Sequence, residues 1–241
     1  MDIEEFLRQL QSNMDEGALS RLYRAASVSQ EEVLRKMREL GLEVYSIAEI
    51  PRFSPEQLDP IADRVIAENA RLGGLTGAGF GSGGFFSIAP ELAWLFVDVI
   101  RLAQRLSLVY GFEFDSHRGR LDLWSTMGNA LGVDVEVDGM EPELTAGLPI
   151  IVGRGQFRDP VVLKLAQRIF LKVAMRTSVR LIRLVPLLGA GLGGVTNYAW
   201  LSWLGHRLKE NLRGRHALRI MNLADPSVSE AIAFTIEEQR G

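Results

Sequence analysis

The chain contains no cysteine. That excludes disulfides, thiol nucleophiles and thiolate-held metals, and it leaves the compartment open. Histidine is scarce: His117, His206 and His216 are the only three in 241 residues. No two of them stand four apart, as a helical zinc pair would, so no metal site is expected. There is no G-x-S-x-G elbow for a serine nucleophile and no G-K-[ST] to close a phosphate loop. The opening MDIEEFLRQL lacks a basic stretch followed by an apolar core, so no signal peptide is expected. The expected location is the cytoplasm or the periphery of the inner membrane. These absences leave no catalytic residue to assign and no cofactor to expect.

The most informative absence is local. From Pro160 to Lys209 there is no aspartate or glutamate, although the chain has 30 of them. The same fifty residues hold 8 of the 27 lysines and arginines. The net charge of −3 therefore conceals a segregation, with the remainder of the chain at a formal −11. One cationic face on an otherwise acidic molecule suits an anionic surface. An acidic whole without a recognised binding motif argues against nucleic acid as partner.

Within that segment Lys164, Arg168, Lys172, Arg176 and Arg180 stand four apart, and Arg183 follows three later. Residues three or four apart share one face of a helix, so these six form a cationic stripe. Surface helices usually mix charges of both signs. The plain alternative is that this is a solvated face on which the acidic N-terminal helices dock. After Arg183 the chain is uncharged from Leu184 to Gly205. That run has the length of a bilayer span, but five glycines, a proline and an asparagine dilute its leucines. A soluble or reversibly inserted hairpin is the favoured reading.

A composition of 47% hydrophobic and 24% charged residues supports a folded chain. The patterning predicts an all-α helical bundle in two parts, an N-terminal helical region over 1–72 and a larger helical domain over 73–241. Ser29 with Glu32 reads as a capping box for a helix that stops at Gly41. Ser54-Pro55-Glu56-Gln57 starts another. At Gly73-Gly74 this helix either ends or lets another backbone approach. Pro90 fits the first turn of a helix closed by Gly111. Between about 127 and 159, Val133, Val135 and Val137 alternate with acids, which suggests a small β-hairpin insert or a loop. Asp159-Pro160 opens the basic helix, Pro186 breaks it, and a second glycine-rich helix is expected to about Leu212. Asp225-Pro226 opens a last one.

The two glycine-rich stretches are expected to pack on each other like a glycine zipper, small residues permitting backbone contact. Both also match G-x-G-x-x-G, at Gly79/Gly81/Gly84 and Gly189/Gly191/Gly194. Neither follows a β-branched strand, so helix packing is preferred to dinucleotide binding. Asp134-x-Glu136-x-Asp138-Gly139 resembles the opening of a calcium loop, but Thr145 stands where its glutamate should be. Glu91 and Asp98 share a helix face, and Arg101 and Arg105 beside them explain both as ion pairs. His206 reads as a surface or capping residue. Asn197 is the one strongly polar side chain in the uncharged run, and a buried amide there would need a partner.

Two blocks of the chain resemble the EcsC family of bacteria. One is the glycine-rich run, the helix after it and the tail VYGFEF, Val109 to Phe114. The other is the basic helix leading into PLLGAGLGGVTNY, Pro186 to Tyr198. Tyr110-Gly111 matches the family's YG pair, and Pro186, Gly189, Ala190, Gly193 and Asn197 match its second pattern. The resemblance implies an all-α protein, cytosolic or membrane-peripheral, without an agreed catalytic site. It implies association with an ABC transporter or another membrane protein, and related eukaryotic domains are linked to lipid handling. Charge pattern and resemblance together predict a non-catalytic, membrane-associated module that binds lipid or an anionic membrane surface. The residues assigned to that contact are Lys164, Arg168, Lys172, Arg176, Arg180, Arg183, Gly189, Gly193 and Asn197. The alternative is a soluble regulatory module that binds a protein partner and no lipid.

Overall fold

The computed structural model describes residues 14–80, 88–133, 157, 159–183 and 189–224, with side chains described for 14–74, 92–133, 157, 159–175 and 194–223. The order is α1 (Glu16–Ala26), α2 (Gln30–Glu39), a 3-10 turn (Ile47–Arg52), α3 (Pro55–Phe80), α4 (Ile88–Val109), α5 (His117–Leu131), α6 (Pro160–Arg183) and α7 (Gly189–Ala224). The protein is an all-α bundle, as the patterning predicts.

Local chemistry sets most helix ends. The Asp15 carboxylate accepts the Ala18 amide at 2.7 Å and starts α1. At α3 the Gln57 side chain reaches back to the Ser54 amide at 2.9 Å, with Pro55 in the first helical position. Asp159 caps α6 through the Val161 amide at 2.8 Å. Gly111, at φ +80°, ends α4; its amide bonds Leu108 at 3.0 Å and the Phe112 amide bonds Ser107 at 2.8 Å. The capping box expected at α2 does not form. Ser29 makes no side-chain cap bond, and Glu32 turns outward to Arg105 of α4 at 3.0 Å. A charge-assisted bond to another helix outcompetes a reach back to a neighbouring amide.

α4 is the axis of the bundle and touches every other α-helix. Leu92, Phe96, Val99, Ile100, Ala103, Leu106 and Val109 are all fully enclosed, as the packing of other helices around it requires. Phe96 meets Phe170 of α6 edge to face at 5.1 Å. Trp124 of α5 packs against Phe96, Phe157 and Tyr23. Such ring pairs add about 0.5–1.5 kcal/mol each beyond their burial.

α3 and α7 form the most extensive helix pair. α3 does not stop at Gly73-Gly74; it runs on to Phe80, so the boundary drawn between 72 and 73 falls inside one helix. The reason is the second option for those glycines. A Cβ at Gly74 would stand 3.1 Å from the Gly194 carbonyl oxygen of α7. At Gly74 and Gly194 the two helices approach backbone to backbone; the other glycines of the two stretches lie outside the residues whose packing is described. α7 also outruns its expected end near Leu212 and reaches Ala224, because its last third has its own contacts with the foot of the bundle. At 1.5 Å per residue it is roughly 54 Å long.

Directions follow from the contacts. Early in α3, Asp59 meets Tyr110 at the end of α4 and Arg213 late in α7. Late in α3, Gly74 meets Gly194 near the start of α7. α6 begins beside α5, where Asp159 meets His117 at 2.5 Å, and rises to the level of Phe96. So α3 and α6 finish where α4 and α7 begin.

α5 answers to no sequence signal that was read. Met127 to Leu131, assigned to the start of a hairpin insert, are its last turn. Residues 134–156 of that insert with the Asp134–Asp138 acids, Pro186 and the helix expected after Asp225-Pro226 lie outside the described residues. Among the described residues no helix is long and apolar enough to cross a membrane.

Candidate functional site

α6 buries one stripe and presents another. Val162, Leu165, Ala166, Ile169, Phe170, Val173 and Ala174 face the core. Lys164 and Arg168 are exposed and Lys172 is half-buried on the opposite side. None of the three has a hydrogen-bond or ion-pair partner among the described residues. Arg176, Arg180 and Arg183 continue the spacing along the last turns of α6; their side chains lie outside those described.

Among the described residues, four acids of α2 and α3 pair away from this stripe. Glu31 pairs with Arg38 at 2.7 Å, Glu39 with Arg35 at 2.6 Å, and Glu32 with Arg105. Glu68 holds Lys36. The described N-terminal helices thus set these acids against α3, α4 and their own arginines rather than against Lys164, Arg168 or Lys172, and the Met14 carbonyl accepts the Gln167 side chain of α6 at 2.9 Å. Of the Glu91/Asp98 pair, the Glu91 side chain lies outside those described; Asp98 takes Arg101 at 3.4 Å, while Arg105 leaves its own helix for Glu32. Burial pushes the Asp98 carboxyl up, against the pull of Arg101 and Arg105.

Of the other assigned residues, Gly189 and Gly193 lie in the first two turns of α7. Asn197 is half-buried, and among the described residues its side chain has no hydrogen-bond partner. Because it is not enclosed, water can satisfy it and no partner is required. The structure does not bring Asn197 onto the face of α6 that bears Lys164 and Arg168. His206 is exposed, its Nδ1 against the Ser202 carbonyl at 2.7 Å.

Two clusters at the foot of the bundle had no place in the sequence reading. In the first, Asp59 accepts the Tyr110 hydroxyl at 2.7 Å and Arg213 Nε at 2.9 Å. Arg213 also holds Glu56 at 2.7 Å, and Lys209 holds Asp63 at 2.7 Å. Burial pushes the Asp59 carboxyl up, but the bonds from Tyr110 and Arg213 and the charges of Lys209 and Arg213 outweigh it. The result lies below the usual carboxylate range. Burial, and then the Asp59 carboxylate, push the Tyr110 phenol up. The legible signal was spacing: Asp59 and Asp63 are four apart on α3, as Lys209 and Arg213 are on α7.

In the second, His216 is fully enclosed. Its Nδ1 faces the Tyr110 carbonyl at 3.0 Å and its Nε2 the Phe53 carbonyl at 2.9 Å. This one ring ties α7 to the end of α4 and to the segment before α3. Nearby, an open cleft of about 320 Å³ is lined by Gly111, Glu113, Ser116, Arg118, Asp122 and Arg219. Arg219 donates to the Gly111 carbonyl at 2.8 Å.

Asp59 gives a pH prediction. A carboxyl held below its unfolded value contributes stability that is present above the ordinary range and lost as pH falls through the folded value. Asp59→Asn should lower stability at neutral pH by about 1–3 kcal/mol, since a bond set to a charged acceptor is lost. It should also flatten the acid side of the stability curve, as read by denaturant titration at several pH values.

No group of three or more metal-ligating side chains occurs among the described residues. No protein-family model, no curated protein and no solved structure matches the chain.

Proposed function

We propose that the chain is a non-catalytic, membrane-peripheral helical module that binds an anionic lipid surface through the exposed face of α6. The observation that supports this most is that Lys164, Arg168 and Lys172 have no partner among the described residues, in a fold that pairs basic residues on α2, α3, α4 and α7. Solvent alone rarely accounts for a helix with cations and no acids along all of its 24 residues. A basic residue near an anionic leaflet contributes about 1 kcal/mol, so three to six suffice for reversible attachment. The absence of any spanning helix among the described residues is consistent with attachment rather than passage. The reading agrees with what the EcsC resemblance implies.

The test is flotation of the purified, detergent-free chain with vesicles. The expected result is flotation with phosphatidylglycerol-containing vesicles and none with phosphatidylcholine alone. Failure with both would favour the soluble partner-binding module, for which a transporter or another membrane protein would be the counterpart of the same face.

A further inference from the structure

We propose that the end of the bundle where α3 and α6 finish and α4 and α7 begin dips into the interfacial layer of the anionic bilayer that α6 contacts. The inference rests on the lipid-binding reading above and adds to it a depth and an orientation. Five large apolar side chains are exposed around this end: Leu72 at 52%, Trp94 at 50%, Met175 at 40%, Val195 at 66% and Tyr198 at 41%. They come from four different helices, and the fold brings them to one level. Tyr198 lies against Gly74, Val195 adjoins Gly194, and Trp94 stands one turn beyond Asp98, which reaches Gly73. Met175 lies just past Phe170 on α6.

Single exposed hydrophobes are ordinary, but a ring of them from four helices is not. Two of the five are tryptophan and tyrosine, whose amphipathic rings favour the headgroup boundary. Charge points the same way. The sequence carries no charged residue from Leu72 to Pro90 or from Leu184 to Gly205. Along α6 the basic residues at 164, 168, 172, 176, 180 and 183 lead up to this end. Exposed apolar side chains beside a basic helix face are an arrangement that seats an interfacial anchor on anionic lipid. The other exposed apolar row, Leu218, Met221 and Leu223, lies at the far end of α7 with Arg215 and Arg219 on the same helix, away from the basic face of α6.

The experiment uses the full chain and vesicles of phosphatidylglycerol with phosphatidylcholine brominated high on the acyl chain. Flotation and tryptophan quenching are read separately, for the natural chain and for Trp94→Phe. Trp124 and Trp200 are buried and Trp203 is common to both proteins, so the difference reports Trp94. The expected result is quenching in the natural chain, most of it lost in Trp94→Phe while flotation persists. Trp94→Ser should weaken vesicle affinity on the order of ten-fold, since a large interfacial side chain is removed. Flotation with no quenching of Trp94 would overturn the inference and leave surface binding through α6 intact. No flotation would overturn both. A dimer that shields Trp94 from bromine would overturn it in favour of a second copy of the chain.

Discussion

Reversing Lys164, Arg168 and Lys172 together to glutamate should lower the affinity for anionic vesicles by at least about 100-fold, since each basic residue contributes about 1 kcal/mol and each reversal adds repulsion. The helix should survive. Two of the three side chains are exposed and none has a partner among the described residues, so circular dichroism and the unfolding midpoint should change little. Arg35 is the control. It is exposed and paired with Glu39 four residues on, well away from α6. Reversing it alone should cost a few tenths of a kcal/mol in stability and leave binding unchanged. Equal binding of the triple variant and the natural chain would remove α6 from the account.

His216→Ala should produce the largest loss of stability of any single change considered. The ring whose two nitrogens face the Tyr110 and Phe53 carbonyls inside the core, and which packs edge-on at 5.9 Å against Tyr110, disappears, and at least one of those carbonyls loses its donor. An orphaned buried polar group costs about 1–3 kcal/mol and the cavity adds more. A total of about 3–4 kcal/mol would lower Tm by roughly 6–16 °C in a domain of this size. The effect should reach both the α3–α7 pair and the end of α4, since the ring joins them. A shift of a degree or two in a thermal melt would mean that the ring is not the tie described here. Vesicle binding of the folded variant should be unaffected, because His216 lies at the opposite end from Trp94 and Tyr198.

What could be read beforehand was local. Ser54-Pro55 with Gln57, Asp159-Pro160 and Gly111 act on amides within three residues of themselves, so their meaning survives without the fold. Glu32 shows the limit. Its local role was plausible, but Arg105 stands 73 residues further on and offers a stronger bond. Gly73 and Gly74 show the same limit, for whether they end a helix depends on Gly194 lying across from them. α5 has no counterpart among the elements the patterning predicts. What makes it a helix is the Ser116 cap together with burial of Leu123, Trp124 and Met127 against the core. The foot of the bundle was half legible: each four-residue pair is visible, but Asp59 and Arg213 are 154 residues apart. The basic stripe was fully legible as a pattern. Only the fold shows that Lys164, Arg168 and Lys172 have no partner among the described acids.

The most direct test of the central claim is equilibrium binding of the full chain to vesicles of rising phosphatidylglycerol content at fixed, near-physiological salt. The account predicts a steep rise in affinity with anionic fraction, because several cations act on the surface at once. The rise should shrink as salt shortens the screening length. Affinity that ignores the anionic fraction, or no binding at any composition, would contradict it.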